Sequence, residues 1–257
     1  MVKNIAIRGA VLHVYHQKTG KESPTLIFLH DSLGCIELWR DFPAALGNST
    51  NCNVLVYDRQ GYGKSTPFTA EGRDTNYLET EADILSLLMR QCDIKKAILF
   101  GHSDGGSIAL IAAAKYPSDI IGVITEGAHI FVEDITLNGI RGAVQAYQTT
   151  NLKQRLQKYH GDKTDAVFDA WTKTWLADTF KSWNIEFFLP QIQCPVLVIQ
   201  GEADEYGSIA QVNGIVEQVT GDARKLMIPS TGHTPHKEAS AIVLEHATLF
   251  IKSLTAS

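Results

Sequence analysis

The feature that most constrains this chain is a rhythm in which short, β-branched apolar runs recur with stretches of helical periodicity between them. Thr25 to His30, Asn53 to Tyr57, Ala97 to Gly101, Ile120 to Glu126 and Val196 to Gly201 are brief and nearly continuous in apolar character, as strands buried on both faces are. Ile5 to Arg8 and Val11 to His16 read as an opening hairpin, and Lys225 to Ile228 as a last strand. Helices are predicted at Tyr77 to Cys92, Asp104 to Tyr116, Ile209 to Val219 and Ser240 to Leu254, the first with Ile84, Leu87 and Leu88 at amphipathic spacing. The alternation predicts an α/β fold, a mostly parallel eight-stranded sheet with helices on both faces.

The rhythm fails once. Residues 127–190 hold no convincing buried strand but are rich in aromatics, among them Tyr147, Phe168, Trp171, Trp175, Phe180 and Trp183, with Lys, Arg and Gln between them. They read as a helical cap inserted after the sixth strand, over the sheet's carboxyl edge, with residues 1–126 and 191–257 forming the core domain. Large aromatics mainly supply buried area, so most of these are expected to form the cap's own core.

Gly101-His102-Ser103-Asp104-Gly105 fits G-x-S-x-G, a pattern that arises by chance in a chain with 20 glycines. Context strengthens it, because Ala97 to Phe100 reads as a buried strand and Ser107 to Ala114 as a helix. A nucleophile on a tight strand-to-helix turn needs small residues two positions either side, which Gly101 and Gly105 supply. Ser103 would then stand at a helix start, where free N–H groups and the positive dipole end favour developing negative charge.

A serine hydroxyl needs a base, and the base needs a carboxylate to orient it. The run Val196 to Gly201 leads into Glu202-Ala203-Asp204-Glu205, just past a strand's carboxyl end, and Asp204 is the predicted orienting acid. Gly232-His233-Thr234-Pro235-His236 follows the last strand; His233 is preferred to His236 as the base. Ser103, Asp204, His233 is also the chain order of hydrolases that carry this elbow. The oxyanion donors would be the backbone N–H groups of Asp104 and of Ser32, in the loop after His30. His30 itself is expected to be a hydrogen-bonded structural histidine rather than a catalytic one. Glu126 and His129, past another strand end, are candidate pocket residues, with packing as the alternative. For Asp104 two roles stay open: an anchor for a substrate ammonium, or a solvated first-turn acid favoured by the helix dipole.

Composition narrows the partners. With 23 Lys+Arg against 28 Asp+Glu the net charge is −5, so the basic surplus that nucleic-acid binding demands is missing. The longest wholly apolar run, Ile108 to Ala114, is far short of the ~20 residues that span a bilayer. Met1 to Arg8 lacks the apolar core of a signal peptide, so a cytoplasmic protein is expected. The four cysteines, Cys35, Cys52, Cys92 and Cys194, form no C-x-x-C pair and read as free thiols. The expected partner is a small-molecule substrate, without metal or cofactor, for a monomer or homodimer.

Taken together these residues resemble the α/β-hydrolase superfamily, from the opening hairpin to the last helix. Five segments match in order: the His30 loop, Asp58-Arg59-Gln60-Gly61-Tyr62-Gly63-Lys64-Ser65, the Ser103 elbow, Gly201-Glu202-Ala203-Asp204, and Gly232-His233. Two departures stand out. Asp31 replaces the usual glycine after the histidine, so the oxyanion loop is open to a different shape, and Arg59-Gln60-Gly61 has one residue more before its glycine than the usual pattern. Serine at position 103 disfavours the branches with an aspartate nucleophile. Within the superfamily, Ser103-Asp104-Gly105-Gly106 with Ala112 to Ser118 is similar to the valacyclovir hydrolase (biphenyl-hydrolase-like) group, which implies cleavage of amino-acid esters. The expectation is a cofactor-independent serine hydrolase acting on a small carboxylic ester, amino-acyl esters included, through an acyl-enzyme. Carbon–carbon bond hydrolysis and thioester hydrolysis on the same triad are the alternatives, and a non-catalytic receptor on the same fold is the rival of another class.

Overall fold

A computed structural model of the chain describes residues 1–19, 23–69 and 73–255. Its strands are β1 (Val2–Ile7), β2 (Ala10–Gln17), β3 (Thr25–Leu29), β4 (Asn53–Tyr57), β5 (Ala97–His102), β6 (Ile120–Glu126), β7 (Val196–Gly201) and β8 (Ala223–Ile228). They form one sheet in the order β1-β2-β4-β3-β5-β6-β7-β8. β2 runs antiparallel to β1 and β4, and every other pairing is parallel.

Central strands β3, β4 and β5 are buried at every position, which is why their sequences are nearly continuous apolar runs. Along β3, Leu26 and Phe28 face one apolar layer, and Ile27 and Leu29 face the other. Helices α1 (Phe42–Thr50) and α8 (Ser240–Thr255) cover the first layer through Leu46, Val243, Phe250 and Ile251. The second is covered by α2 (Tyr77–Gln91), α3 (Asp104–Lys115) and α7 (Ile209–Gln218). Each fully buried Leu, Ile or Phe contributes about 1.5–3 kcal/mol over the exposed state. Every residue of α3 from Asp104 to Ala114 is buried, so its alanines are what lets it lie between the sheet and α2.

α1 has no counterpart in the sequence reading. Gly47 and β-branched Thr50 weaken its helical signal, and the glycine is required because a Cβ there would stand 2.3 Å from Val54 Cγ2.

Between β6 and β7 lie α4 (Asp134–Thr149), α5 (Leu152–His160), α6 (Thr164–Trp175) and short 3-10 turns. The ends of this excursion are tied together by the Phe131–Asn184 bridge and by the Ile185 N–H donating to Ile130 O at 2.8 Å. Tyr147 stacks on Phe168 with centroids 3.8 Å apart, and Phe180 on Trp183 at 5.3 Å. Trp175 does more than pack among these helices, for its Nε1–H donates to the hydroxyl of Tyr77 on α2 at 3.0 Å. Phe187 is 60% exposed and belongs to no core.

Chain order reverses about β3, which lies between β4 and β5. The carboxyl ends of β3 and β5 therefore flank a switch point, where open α/β sheets place their ligand crevice. Leu29 pairs with Gly101, so the loops that follow both strands begin side by side.

Candidate active site

Ser103 sits between β5 and α3 with φ 55° and ψ −119°, a left-handed conformation that non-glycine residues adopt only when the surroundings enforce it. The enforcement is close packing. A Cβ on Gly101 would stand 2.2 Å from Gly105 O, and one on Gly105 would stand 2.0 Å from Leu29 O. Strand and helix meet at distances only glycine permits, and the turn lifts Ser103 over the carboxyl ends of the strands. The Ser103 N–H donates to Glu126 O at 2.8 Å, which fixes the turn to β6. Ser103 is 8% exposed.

His233 and Asp204 come together from the loops after β8 and β7. His233 Nδ1 lies 2.9 Å from Asp204 Oδ1 and 3.0 Å from Oδ2. Since the carboxylate only accepts, Nδ1 carries the hydrogen and Nε2 is left with its lone pair. Asp204 Oδ1 also accepts from the Tyr206 N–H at 2.8 Å and the Gly207 N–H at 3.2 Å, which aims the carboxylate. Burial alone would lower the pKa of His233, but the hydrogen bond and charge of Asp204 outweigh it and raise the pKa above 6.5. Burial would likewise raise that of Asp204, and the contact with His233 holds it below its ordinary value instead. By contrast, burial drives His16, His30, His102, His129 and His160 downward, which favours their neutral forms.

His236, the alternative base, has its own carboxylate: Nδ1 donates to Glu126 Oε2 at 2.6 Å. That pair is buried, with the His236 ring 4.5 Å from Trp39 and 5.7 Å from Phe42, in the layer under α1. Between the two couples lies His102, whose ring centroid is 5.1 Å from His233 and 5.2 Å from His236. Its Nε2–H donates to His233 O at 2.8 Å, holding the loop that carries His233.

Neither the Asp104 N–H nor the Ser32 N–H has a protein acceptor among the described residues. Asp31 does not adopt positive φ, so the aspartate in place of glycine causes no strain. The tight position in that loop is Gly34, where a Cβ would meet Asp31 Oδ1 at 2.0 Å. His30 is used at both nitrogens: Nδ1–H donates to Asp31 O at 2.8 Å, and Nε2 accepts from the Arg59 N–H at 3.1 Å. It braces its own loop against the loop after β4.

The side chain of Asp104 is placed otherwise than a solvated first-turn acid. It is 1% exposed, with Oδ2 3.6 Å from Arg59 Nη1, 4.0 Å from Arg73 Nη1 and accepting from Tyr77 OH at 3.0 Å. As an ammonium anchor it would have to compete with two guanidiniums already beside it. Glu126, read as a candidate pocket residue, is fully buried and paired with His236, so packing describes it better. His129 does stand beside the site, its ring 5.9 Å from His233 and 5.2 Å from Trp175. Its Nε2–H donates to Tyr206 O at 3.0 Å, and its Nδ1 has no partner among the described residues.

Arg73, Tyr77, Trp175 and Tyr206 all border the site without having been singled out for it in the sequence. Arg73 lies in a polar loop with no periodic signal, whereas Arg59 belonged to a recognised motif. Among the described residues, no group of three or more His, Cys, Asp or Glu side chains is arranged to hold a metal ion, and no helix is long and apolar enough to cross a membrane.

Comparison with known proteins identifies the family. A sequence profile of the family described as alpha/beta hydrolase fold matches residues 24–161. Serine hydrolase BPHL of Homo sapiens is 32% identical over 249 residues, covering 90% of this chain and 80% of that protein. A 2-succinyl-6-hydroxy-2,4-cyclohexadiene-1-carboxylate synthase of Enterobacter sp. (strain 638) is 26% identical over 251 residues, covering 86% and 88%. The enol-lactonase from Burkholderia xenovorans LB400 superposes with a TM-score of 0.76 at 18% identity, over 97% of this chain and 99% of the other, and so speaks for the fold.

Proposed function

The chain belongs to the α/β-hydrolase fold family and is a serine hydrolase, and from that premise we propose that it hydrolyses small carboxylic esters through an acyl-enzyme formed on Ser103. The observation that carries this reading is the left-handed Ser103 at the start of α3, together with a His233 whose Nδ1–H is committed to Asp204.

In this mechanism Ser103 Oγ attacks the ester carbonyl while His233 Nε2 takes its proton. Asp204 holds the imidazole in the tautomer that leaves Nε2 basic, and it stabilises the imidazolium that forms. Negative charge on the former carbonyl oxygen is received by the Asp104 and Ser32 N–H groups, which have no other acceptor to give up, aided by the dipole of α3. As the C–O bond breaks, the imidazolium returns its proton to the leaving alkoxide. Water then attacks the acyl-enzyme by the same route in reverse roles, releasing acid and free Ser103.

The test is hydrolysis of 4-nitrophenyl butyrate, with fluorophosphonate labelling, in the wild type and in Ser103→Ala. Loss of both in the variant is expected. Undiminished turnover in Ser103→Ala would overturn the assignment, and a wild type that neither labels nor turns over would favour a non-catalytic receptor. A vinylogous diketone in the same panel tests carbon–carbon hydrolysis, the alternative open to the same triad.

A further inference from the structure

Two arginines converge on the residue next to the nucleophile, and the ester mechanism uses neither. Arg59 is 1% exposed, and its Nε and Nη1 have no hydrogen-bond partner among the described residues. Arg73 keeps 8% of its side chain exposed, and its Nη1 is likewise unpartnered. Their remaining contacts hold them in place. Arg59 Nη2–H donates to Asp31 O at 2.8 Å, and Arg73 Nη2–H to Tyr62 OH at 2.5 Å. Arg73 also lies over the Tyr77 ring at 4.5 Å and the Phe68 ring at 5.2 Å. Such rigid guanidiniums have already lost the side-chain freedom that ligand binding would otherwise cost.

Asp104 is one carboxylate against two guanidiniums, at distances beyond hydrogen bonding to either Nη1. Glu81, the other acid in the cluster, is driven toward its neutral form by burial, and its Oε2 has no partner among the described residues. Arg73 forms part of the wall of a cavity of about 610 Å³ between the cap and the loop before α2, with Phe68, Phe180, Lys163 and Lys173 around it. Among the described residues of that wall the acid is Asp169, paired with Lys173 at 2.8 Å. Ser103 is not part of the wall, but Arg73 reaches Asp104, its neighbour in the chain. Buried guanidinium N–H groups without partners among the described residues attract an anion and repel an ammonium.

We propose that Arg73, backed by Arg59, is a carboxylate-recognition subsite, and that the ester cleaved at Ser103 carries a free carboxylate. Planar, forked donors suit a carboxylate, and the aromatic walls suit a short apolar spacer between it and the ester. The inference rests on the serine-hydrolase reading of the same site and reverses the charge preference expected of an amino-ester hydrolase.

The experiment compares three 4-nitrophenyl esters matched in length: the mono-ester of adipic acid, its methyl-capped twin and the 6-aminohexanoate. Two aryl acetates, 4-acetoxybenzoate and its methyl ester, place the carboxylate on the leaving group instead. On the wild type, at least one carboxylate ester is expected to exceed its capped twin more than tenfold in kcat/KM, with the aminohexanoate slowest of its set. Arg73→Gln is expected to collapse that preference mainly through KM while fluorophosphonate labelling of Ser103 persists. If capped and free esters are cleaved equally, or the ammonium ester is preferred, the subsite is refuted while ester hydrolysis stands. If no ester is cleaved and Ser103 does not label, the hydrolase reading itself fails. Free adipate adds a readout that needs no turnover. It should slow fluorophosphonate labelling of the wild type but not of Arg73→Gln, and equal protection of both would also refute the subsite.

Discussion

The Asp104 carboxylate and the Arg59 guanidinium lie 3.6 Å apart with 1% of each side chain exposed, directly behind the residue that carries the elbow. Removing one member of a buried pair costs about 3–5 kcal/mol, because the other is left uncompensated. Asp104→Asn leaves Arg59 and Arg73 facing each other across a neutral amide, and a loss of about 3 kcal/mol is expected. For a chain of this size that is roughly 6–12 °C in Tm. A melting point within about 2 °C of the wild type would show that the carboxylate does not hold the two arginines.

Gly105 tests the elbow by geometry alone. A Cβ there would meet Leu29 O, a backbone atom of a central strand that has nowhere to go. Gly105→Ala must push α3 from β3 or open the turn at Ser103, and forced overpacking typically costs about 1–3 kcal/mol. The expected outcome is a lowered Tm together with at least a tenfold loss of fluorophosphonate labelling, since the same movement displaces the Asp104 N–H. Wild-type labelling in Gly105→Ala would show that strand–helix contact does not set the nucleophile's position.

How much of this was legible in the chain follows from which interactions are local. The strand β4 was readable to the residue, because a strand buried on both faces writes itself as an apolar run with turn residues at its ends. The elbow was readable because its steric demands fall on residues two positions either side of Ser103. What the sequence hid was contact across distance. Arg73 lies 31 positions before Asp104, and Tyr77 meets Trp175 of the cap 98 positions later, with no spacing to announce either meeting. Asp104 therefore looked like a solvated or substrate-facing acid, when the fold had surrounded it with cations.

The pKa of His233 predicts an acid limb. The base must be unprotonated to accept the Ser103 proton, and Asp204 raises the pKa of His233 above 6.5, so kcat/KM should rise with pH through a midpoint above 6.5. Asp204→Asn removes the charge that raises it and allows the other tautomer. The midpoint should then fall, and the plateau should drop by about 10⁴. An unchanged midpoint in a folded Asp204→Asn would show that the limb belongs to another group.

His236 provides the sharpest control, because it has the same chemistry as His233 in a different place. Both histidines donate Nδ1–H to a carboxylate, yet His236 and Glu126 are sealed against Trp39 and Phe42 on the α1 side of the sheet. Catalysis requires Nε2 to reach the serine proton, and a ring packed into an apolar layer is there to satisfy Glu126 instead. His236→Asn should therefore act on stability, costing about 3 kcal/mol for the exposed need of a buried carboxylate. Its kcat/KM should stay within tenfold of wild type with the acid limb in place, since its Nδ1–H is committed to Glu126 and its ring lies against Trp39 and Phe42. His233→Asn should abolish turnover outright, and its fall in Tm should be the smaller one, because Asp204 keeps the Tyr206 and Gly207 N–H donors. Measuring both properties on both variants separates the roles, and a folded His236→Asn as inactive as His233→Asn would move the base to His236.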